Sequence, residues 1–197
     1  MASRRRIGPP DAEKRGLLLD AAEQLMVEEG YAAVSSRRVA DKAGLKPQIF
    51  FYYFRTMDEL FLAVFRRRAD KGLEQYAAAL ESARPLSALW TFAADSAGTR
   101  LNTEFLMLSN HRTELKAEIA HYSERFRRMQ TEAVSGLLER REIDVEEFPP
   151  VVISVLLTSL SRLLVMENAL GFSSGHPETV EFIERYFRKL EGEPEGV

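Results

Sequence analysis

Residues 35–54, SSRRVADKAGLKPQIFFYYF, constrain the fold more than any other part of this chain. They read as two short helices broken at Gly44. Ser35 stands where a side-chain hydroxyl caps a helix start, and Val39, Ala40 and Ala43 give the next turns an apolar face. A glycine just past a helix end reaches the left-handed region without a Cβ clash, so the chain can turn sharply there. Lys46-Pro47 reopens a helix, because proline at the first position lacks only an N–H that would have had no intrahelical acceptor. Phe50 and Phe54, four apart, point to one side and are assigned to the core. Tyr52 and Tyr53 are adjacent on the helix, cannot both face that core, and are assigned to the surface. Two helices joined this way, with basic and aromatic residues crowded onto the second, make a helix-turn-helix, a unit suited to placing a helix in a DNA groove.

The net charge is −3, so any attraction to nucleic acid has to be local. Between residues 35 and 57, Arg37, Arg38, Lys42, Lys46 and Arg55 oppose Asp41 alone, which is 5 − 1 = +4. Arg4, Arg5 and Arg6 precede Gly8-Pro9-Pro10, read as unable to begin a helix, so residues 1–10 are expected to form a flexible basic arm. That arm either follows phosphates and the minor groove or is a solvated tail. Ser36, Arg37, Lys46, Tyr52 and Tyr53 have the hydroxyls and cations that suit phosphate oxygens. Gln48 can offer adenine a paired donor and acceptor, while Ile49 and Phe51 suit thymine methyls or sugar carbons.

The remainder reads as all-α. Helical stripes are expected over 11–29, 57–80, 85–98, 102–109, 113–140 and 148–170, with a last helix opening at Pro177, about nine helices in all. In the seventh, Leu115, Ile119, Tyr122, Phe126, Met129, Ala133 and Leu137 recur at spacings of three and four. The eighth is apolar nearly all round and is expected to be covered on more than one side. Its core run, 151–166, is interrupted by Ser154, Thr158, Ser159, Ser161 and Arg162, which favours a buried helix over a membrane span. No apolar stretch follows the N-terminal charges, so no secretory signal is expected, and the absence of cysteine fits a cytoplasmic protein.

The segment 13–64 resembles the DNA-binding domain of TetR-family transcriptional regulators. Ser35-Ser36, Val39-Ala40, Ala43-Gly44-Leu45 and Phe50-Phe51-Tyr52-Tyr53-Phe54 stand in the positions of that family's helix, turn and aromatic-rich recognition helix. The chain departs from the family pattern at Gln48-Ile49, where a small Gly-Thr pair is common, at Phe51 in place of tyrosine, and at Met57 in place of a phosphate-binding lysine. The resemblance implies an N-terminal three-helix DNA-binding domain (11–57), then a larger ligand-binding and dimerisation domain (58–192) and a polar tail (193–197). It implies a homodimer paired through its last two helices, here through Val152, Leu156, Leu160, Leu164, Ile183 and Phe187, although these could instead bury one another within one subunit. It also implies a small-molecule effector bound between the fifth, seventh and eighth helices. Trp90, Phe105, Tyr122, Phe126 and Met129 could line that pocket, with His111 as a polar contact, or be ordinary core. As a set they favour an apolar or aromatic compound.

The function expected is a ligand-responsive repressor on a palindromic operator. The alternative is an architectural or adaptor protein that binds DNA without sequence preference. An enzyme is not expected. The chain has no Gly-rich phosphate loop, nucleophile elbow or Cys–His arrangement, and Glu28-Glu29 and Glu146-Glu147 read as solvated helix ends. No cofactor or metal is expected, since His111, His121 and His176 have no ligand spacing.

Overall fold

The computed structural model describes residues 9–94 and 96–192. Among them there are α-helices only, apart from one 3-10 turn at Tyr31–Ala33. The helices are α1 (Pro9–Glu29), α2 (Ser36–Lys42), α3 (Pro47–Tyr53), α4 (Met57–Leu80), α5 (Pro85–Ala93), α6 (Ser96–Ser109), α7 (Thr113–Arg140), α8 (Pro150–Ala169) and α9 (His176–Glu191). Two expectations are corrected. Helix α1 begins at Pro9, not Asp11, since prolines in the first turn forgo only N–H groups that have no intrahelical acceptor. Gly98 does not end α5; it is buried inside α6, where packing offsets its low helix propensity. The triple-arginine arm, Arg4 to Arg6, and the tail at 193–197 lie outside the described residues.

The chain divides into two compact units, one comprising residues up to Ala69 with Leu101–Ile119, the other Asp70–Arg100 with the chain from Ala120 onward. Helices α4, α6 and α7 each contribute to both. The unit that holds α2 and α3 is therefore wider than 11–57.

In the first unit, Leu18, Ala22, Met26, Val39, Ala40, Phe50, Leu60, Val64 and Leu101 are fully buried. Burying each large apolar side chain contributes roughly 1.5–3 kcal/mol. Phe105 of α6 packs edge-on against Phe65 of α4. Glu104 accepts the Tyr31 backbone N–H at 2.7 Å. Gly30, at φ +83°, makes that approach possible, because a Cβ there would lie 3.3 Å from Glu104 Oε2 in a backbone conformation that L side chains avoid.

In the second unit, Leu86, Val134, Leu137, Leu138, Leu157, Ile183, Phe187 and Leu190 form one cluster. Glu191 closes it. Its buried carboxylate accepts the Leu86 and Ser87 N–H groups and the Ser87 hydroxyl, capping the start of α5, and lies 3.5 Å from Arg84 Nε.

Candidate nucleic-acid interface

Helix α2 starts at Ser35, whose side chain accepts the Arg38 N–H at 3.4 Å. It ends in two reciprocal bonds, from Gly44 N–H to the Asp41 carbonyl and from Leu45 N–H to the Ala40 carbonyl. That pair is a Schellman motif and needs the left-handed φ of +67° that Gly44 adopts. Proline at its first position opens α3. The turn after α3 is held from beyond: the Thr56 hydroxyl accepts the Glu59 N–H, and the Glu59 carboxylate accepts the Arg55 N–H at 2.7 Å.

These constraints orient α3. Phe50 and Phe54 point inward, with the Arg15 guanidinium 5.3 Å over the Phe54 ring. Gln48, Phe51 and Tyr52 share the outward face, Phe51 being 59% and Tyr52 54% exposed. Ile49 and Tyr53 flank that face half-buried, and the Tyr52 and Tyr53 rings meet at right angles with centroids 4.9 Å apart. Lys46 and Arg37 are exposed at the starts of α3 and α2, and Ser36 is half-buried beside Arg37. The nearest carboxylate to Arg37 is that of Asp41, at 3.9 Å and open to water, a weak pairing.

The local charge differs from the sequence count. Arg38 bonds Glu29 and the Ala33 carbonyl, and Lys42 bonds Glu28 at 2.8 Å. Glu28 and Glu29 are therefore not idle helix ends; they fasten α2 to the end of α1. The Lys42 and Gln24 hydrogen bonds hold Glu28 below the usual carboxylate range, and the Arg38 bond does the same for Glu29. Arg37, Lys46 and Arg55 are left as the cations open to an incoming phosphate.

The expected effector set does not converge. Phe105 and His111 belong to the first unit, Phe105 fully packed and His111 exposed in the turn before α7. Trp90 packs on Phe187 in the second core. Tyr122 donates to Asp70 at 2.6 Å, and Met129 is half-buried. Phe126 joins Tyr76, which also meets Phe92, in an edge-to-face aromatic group. Among the described residues no group of three or more acidic or histidine side chains gathers as a metal site.

The expected dimer set divides as well. Ile183 and Phe187 are core residues, clustered with Leu157 of α8 and with side chains of α5 and α7, and Leu164 is buried. Helix α8 is not covered on its other side: Val151, Val152, Val155, Leu156, Leu163 and Met166 are all exposed. It is long and apolar enough to cross a membrane by composition alone, yet its inward positions include the buried Ser154 and Ser161.

The described residues form an all-helical chain whose N-terminal helix-turn-helix turns a polar and aromatic face outward, the form of a DNA-binding unit. Residues 18–64 match the family model for bacterial regulatory proteins of the tetR family. Over 61 residues the chain is 39% identical to the HTH-type transcriptional activator FasR of Mycolicibacterium smegmatis, a stretch covering 31% of this chain and 28% of that protein's length. Its fold matches a TetR transcription regulator from Haloarcula marismortui with a TM-score of 0.73 at 15% identity, over 91% of this chain and 97% of that one. It also matches a transcriptional regulator from Saccharomonospora viridis, solved in complex with choline, with a TM-score of 0.71 at 17% identity over 90% and 95% of the two chains.

Proposed function

We propose that this protein is a sequence-specific transcriptional regulator that binds a palindromic operator as a homodimer and leaves it when a small effector binds its larger helical domain. The observation that carries the reading is the outward face of α3, with Gln48, Phe51 and Tyr52 exposed on a helix whose other side is locked by Phe50 and Phe54. Gln48 reads a base edge, Ile49 and Phe51 touch apolar groove atoms, and Ser36, Arg37, Lys46, Tyr52 and Tyr53 hold phosphates.

Dimerisation is supported by the bare outer face of α8, on which Val152, Val155, Leu156 and Leu163 need cover. Leu160, half-buried, lies at its edge. A second copy of the same helices offers a self-complementary cover and brings a second α3 to the same DNA. The protein is a repressor where its operator overlaps a promoter. The relative from Mycolicibacterium smegmatis is an activator, so the sign of regulation follows from operator position. The choline of the Saccharomonospora viridis complex is not carried over, because the α7 and α8 helices here present arginines, which repel a cation. A cytoplasmic location goes with this role.

Selection of bound sequences from a random DNA pool at near-physiological salt tests the reading. Recovery of an inverted repeat is expected. Salt-sensitive binding without a consensus would contradict it and favour an adaptor that binds DNA regardless of sequence.

A further inference from the structure

Helices α7 and α8 are in register along a polar seam. Thr131 bonds Ser154 at 3.5 Å, and Thr158 donates to Gln130 Oε1 at 3.1 Å. Numbers fall along α7 as they rise along α8, so the helices run antiparallel. One turn past the Gln130–Thr158 bond, Arg127 comes opposite Arg162. Gln130 and Ser154 are buried, Arg127 is half-buried and Arg162 remains reachable from solvent.

Arg127, half-buried, and Arg162, exposed, are like charges close enough to disfavour one another, and an anion between them would relieve both. Arg127 has a long 3.5 Å bond to Gln130 Oε1. Among the described residues neither arginine has a carboxylate within ion-pair distance. Burial, and then the charge of Arg127, lower the basicity of Arg162. Burial pushes the Tyr76 phenol well above its ordinary range, with both arginines acting against that rise. Tyr76 brings an apolar wall to the same place, since its ring meets those of Phe92 and Phe126 edge-on at 5.3 and 5.2 Å. Gly72 leaves room for that wall, its absent Cβ standing 3.3 Å from Phe126 Cζ. Arg127 also lines an open groove of about 530 Å³ along α7, with Ser123, Glu124, Arg128, Thr131 and Glu132.

We propose that Arg127 and Arg162, with Gln130 and Thr158 beside them, bind the carboxylate of an effector whose apolar body packs on Tyr76, Phe92 and Phe126. The planar guanidinium presents paired donors that match the two oxygens of a carboxylate. This names the chemical class of the effector and rests on the effector reading above. The competing occupant of Arg162 is a carboxylate of a second copy, because Leu163 and Met166 next to it lie on the bare face of α8.

The test is calorimetric titration of the full chain with acetate, benzoate, 2-naphthoate and decanoate, each against its neutral amide, in the wild type and in Arg127→Gln and Arg162→Gln. At least one acid with a ring or chain is expected to bind at least tenfold tighter than its amide, and either substitution is expected to remove that preference. Arg127→Lys and Arg162→Lys, which keep the charge, serve if a glutamine variant unfolds, and a preference that survives in weakened form is expected of them. Failure of every acid to bind, equal binding of acid and amide, or indifference to the substitutions would overturn the site. So would an Arg162→Gln protein that becomes monomeric by light scattering while binding acids unchanged, which would assign Arg162 to the partner. Arginine-dependent acid binding that leaves DNA affinity unaltered would sink the effector reading alone. DNA release by a neutral compound, unchanged in both glutamine variants, would sink the anion site alone.

Discussion

The helix-turn-helix and the α7–α8 region both carry arginines and large apolar side chains, but the first fastens part of its charge and carbon within the chain and the second leaves its facing arginines without an ion pair among the described residues. Around α2 and α3, Arg38 and Lys42 have Glu29 and Glu28, both ends of α2 are capped, and Phe50 and Phe54 are buried. Along α7 and α8, Arg127 faces Arg162 with no carboxylate at ion-pair distance among the described residues, and a row of valines and leucines stands in water. Matched charge and buried carbon mark a scaffold. Unmatched charge and bare carbon, as at Arg37, Lys46, Phe51 and Tyr52 and again along α7 and α8, mark surfaces completed by something else, which we assign to DNA in the first case and to an effector and a second copy in the other.

The largest effect expected from breaking this contrast is at Leu156, 54% exposed on α8. Leu156→Asp should leave the folded subunit intact, give a monomer by sedimentation, and weaken operator binding by about 10²–10⁴-fold, the loss that follows when two half-sites are no longer read together. A variant that stayed dimeric would move the interface elsewhere. Within α3 the contrast recurs between neighbours. Phe50→Ala should cost about 3–5 kcal/mol in urea unfolding, as for a large buried aromatic side chain. Phe51→Ala should change stability by no more than about 0.5 kcal/mol, since its ring is exposed. Similar costs at the two positions would mean that α3 is rotated from the orientation described.

Much of the first region was legible because its signals are local. The Ser35 cap, the Gly44 turn, Pro47 and the Phe50–Phe54 spacing each act within a few residues, and each does what its chemistry demands. The Thr56-Met57-Asp58-Glu59 cap is equally local, a hydroxyl followed three residues later by a carboxylate. The pairing of Glu28 with Lys42 is not legible in the sequence, because its partners are 14 residues apart and belong to different helices.

In the second region the local signal misled. The interruptions of α8 at Ser154, Thr158 and Arg162 recur at intervals of four, which marks one face of a helix and therefore a polar seam. Aromatic character then selected Trp90, Phe105 and His111 for a pocket, although Phe105 and His111 fall in a different compact unit from Trp90. Which residues of distant helices meet is a tertiary fact that periodicity does not carry.

Three smaller effects sharpen the comparison. Gln48→Ala should cost about 1–3 kcal/mol of operator affinity and relax preference at one base pair per half-site, as read by binding to single-base operator variants. An equal loss on every variant would remove Gln48 from base reading. Glu191→Gln should cost about 1–3 kcal/mol of stability, because the buried carboxylate that caps α5 loses its charge while the Leu86, Ser87 and Arg84 donors remain. An unchanged melting temperature would contradict that cap.

The smallest effect is the pH dependence of the α1–α2 fastening. Glu28 and Glu29 are held below the usual carboxylate range when folded, chiefly by their hydrogen bonds to Lys42 and Arg38, so their contribution is complete above that range and is lost as pH falls through the lowered folded values. Arg38→Met with Lys42→Met should flatten that part of an acid-unfolding curve. A curve with the same slope would show that the pairs contribute nothing.

The central claim, that a complete DNA-reading unit is joined to a face completed by a second copy, is tested most directly by counting chains on DNA. Analytical ultracentrifugation of the protein on an inverted-repeat duplex, obtained by selection, should give two chains per duplex, or an even multiple. A single half-site should bind far more weakly. One chain per duplex, with equal affinity for a half-site and the full repeat, would contradict the account.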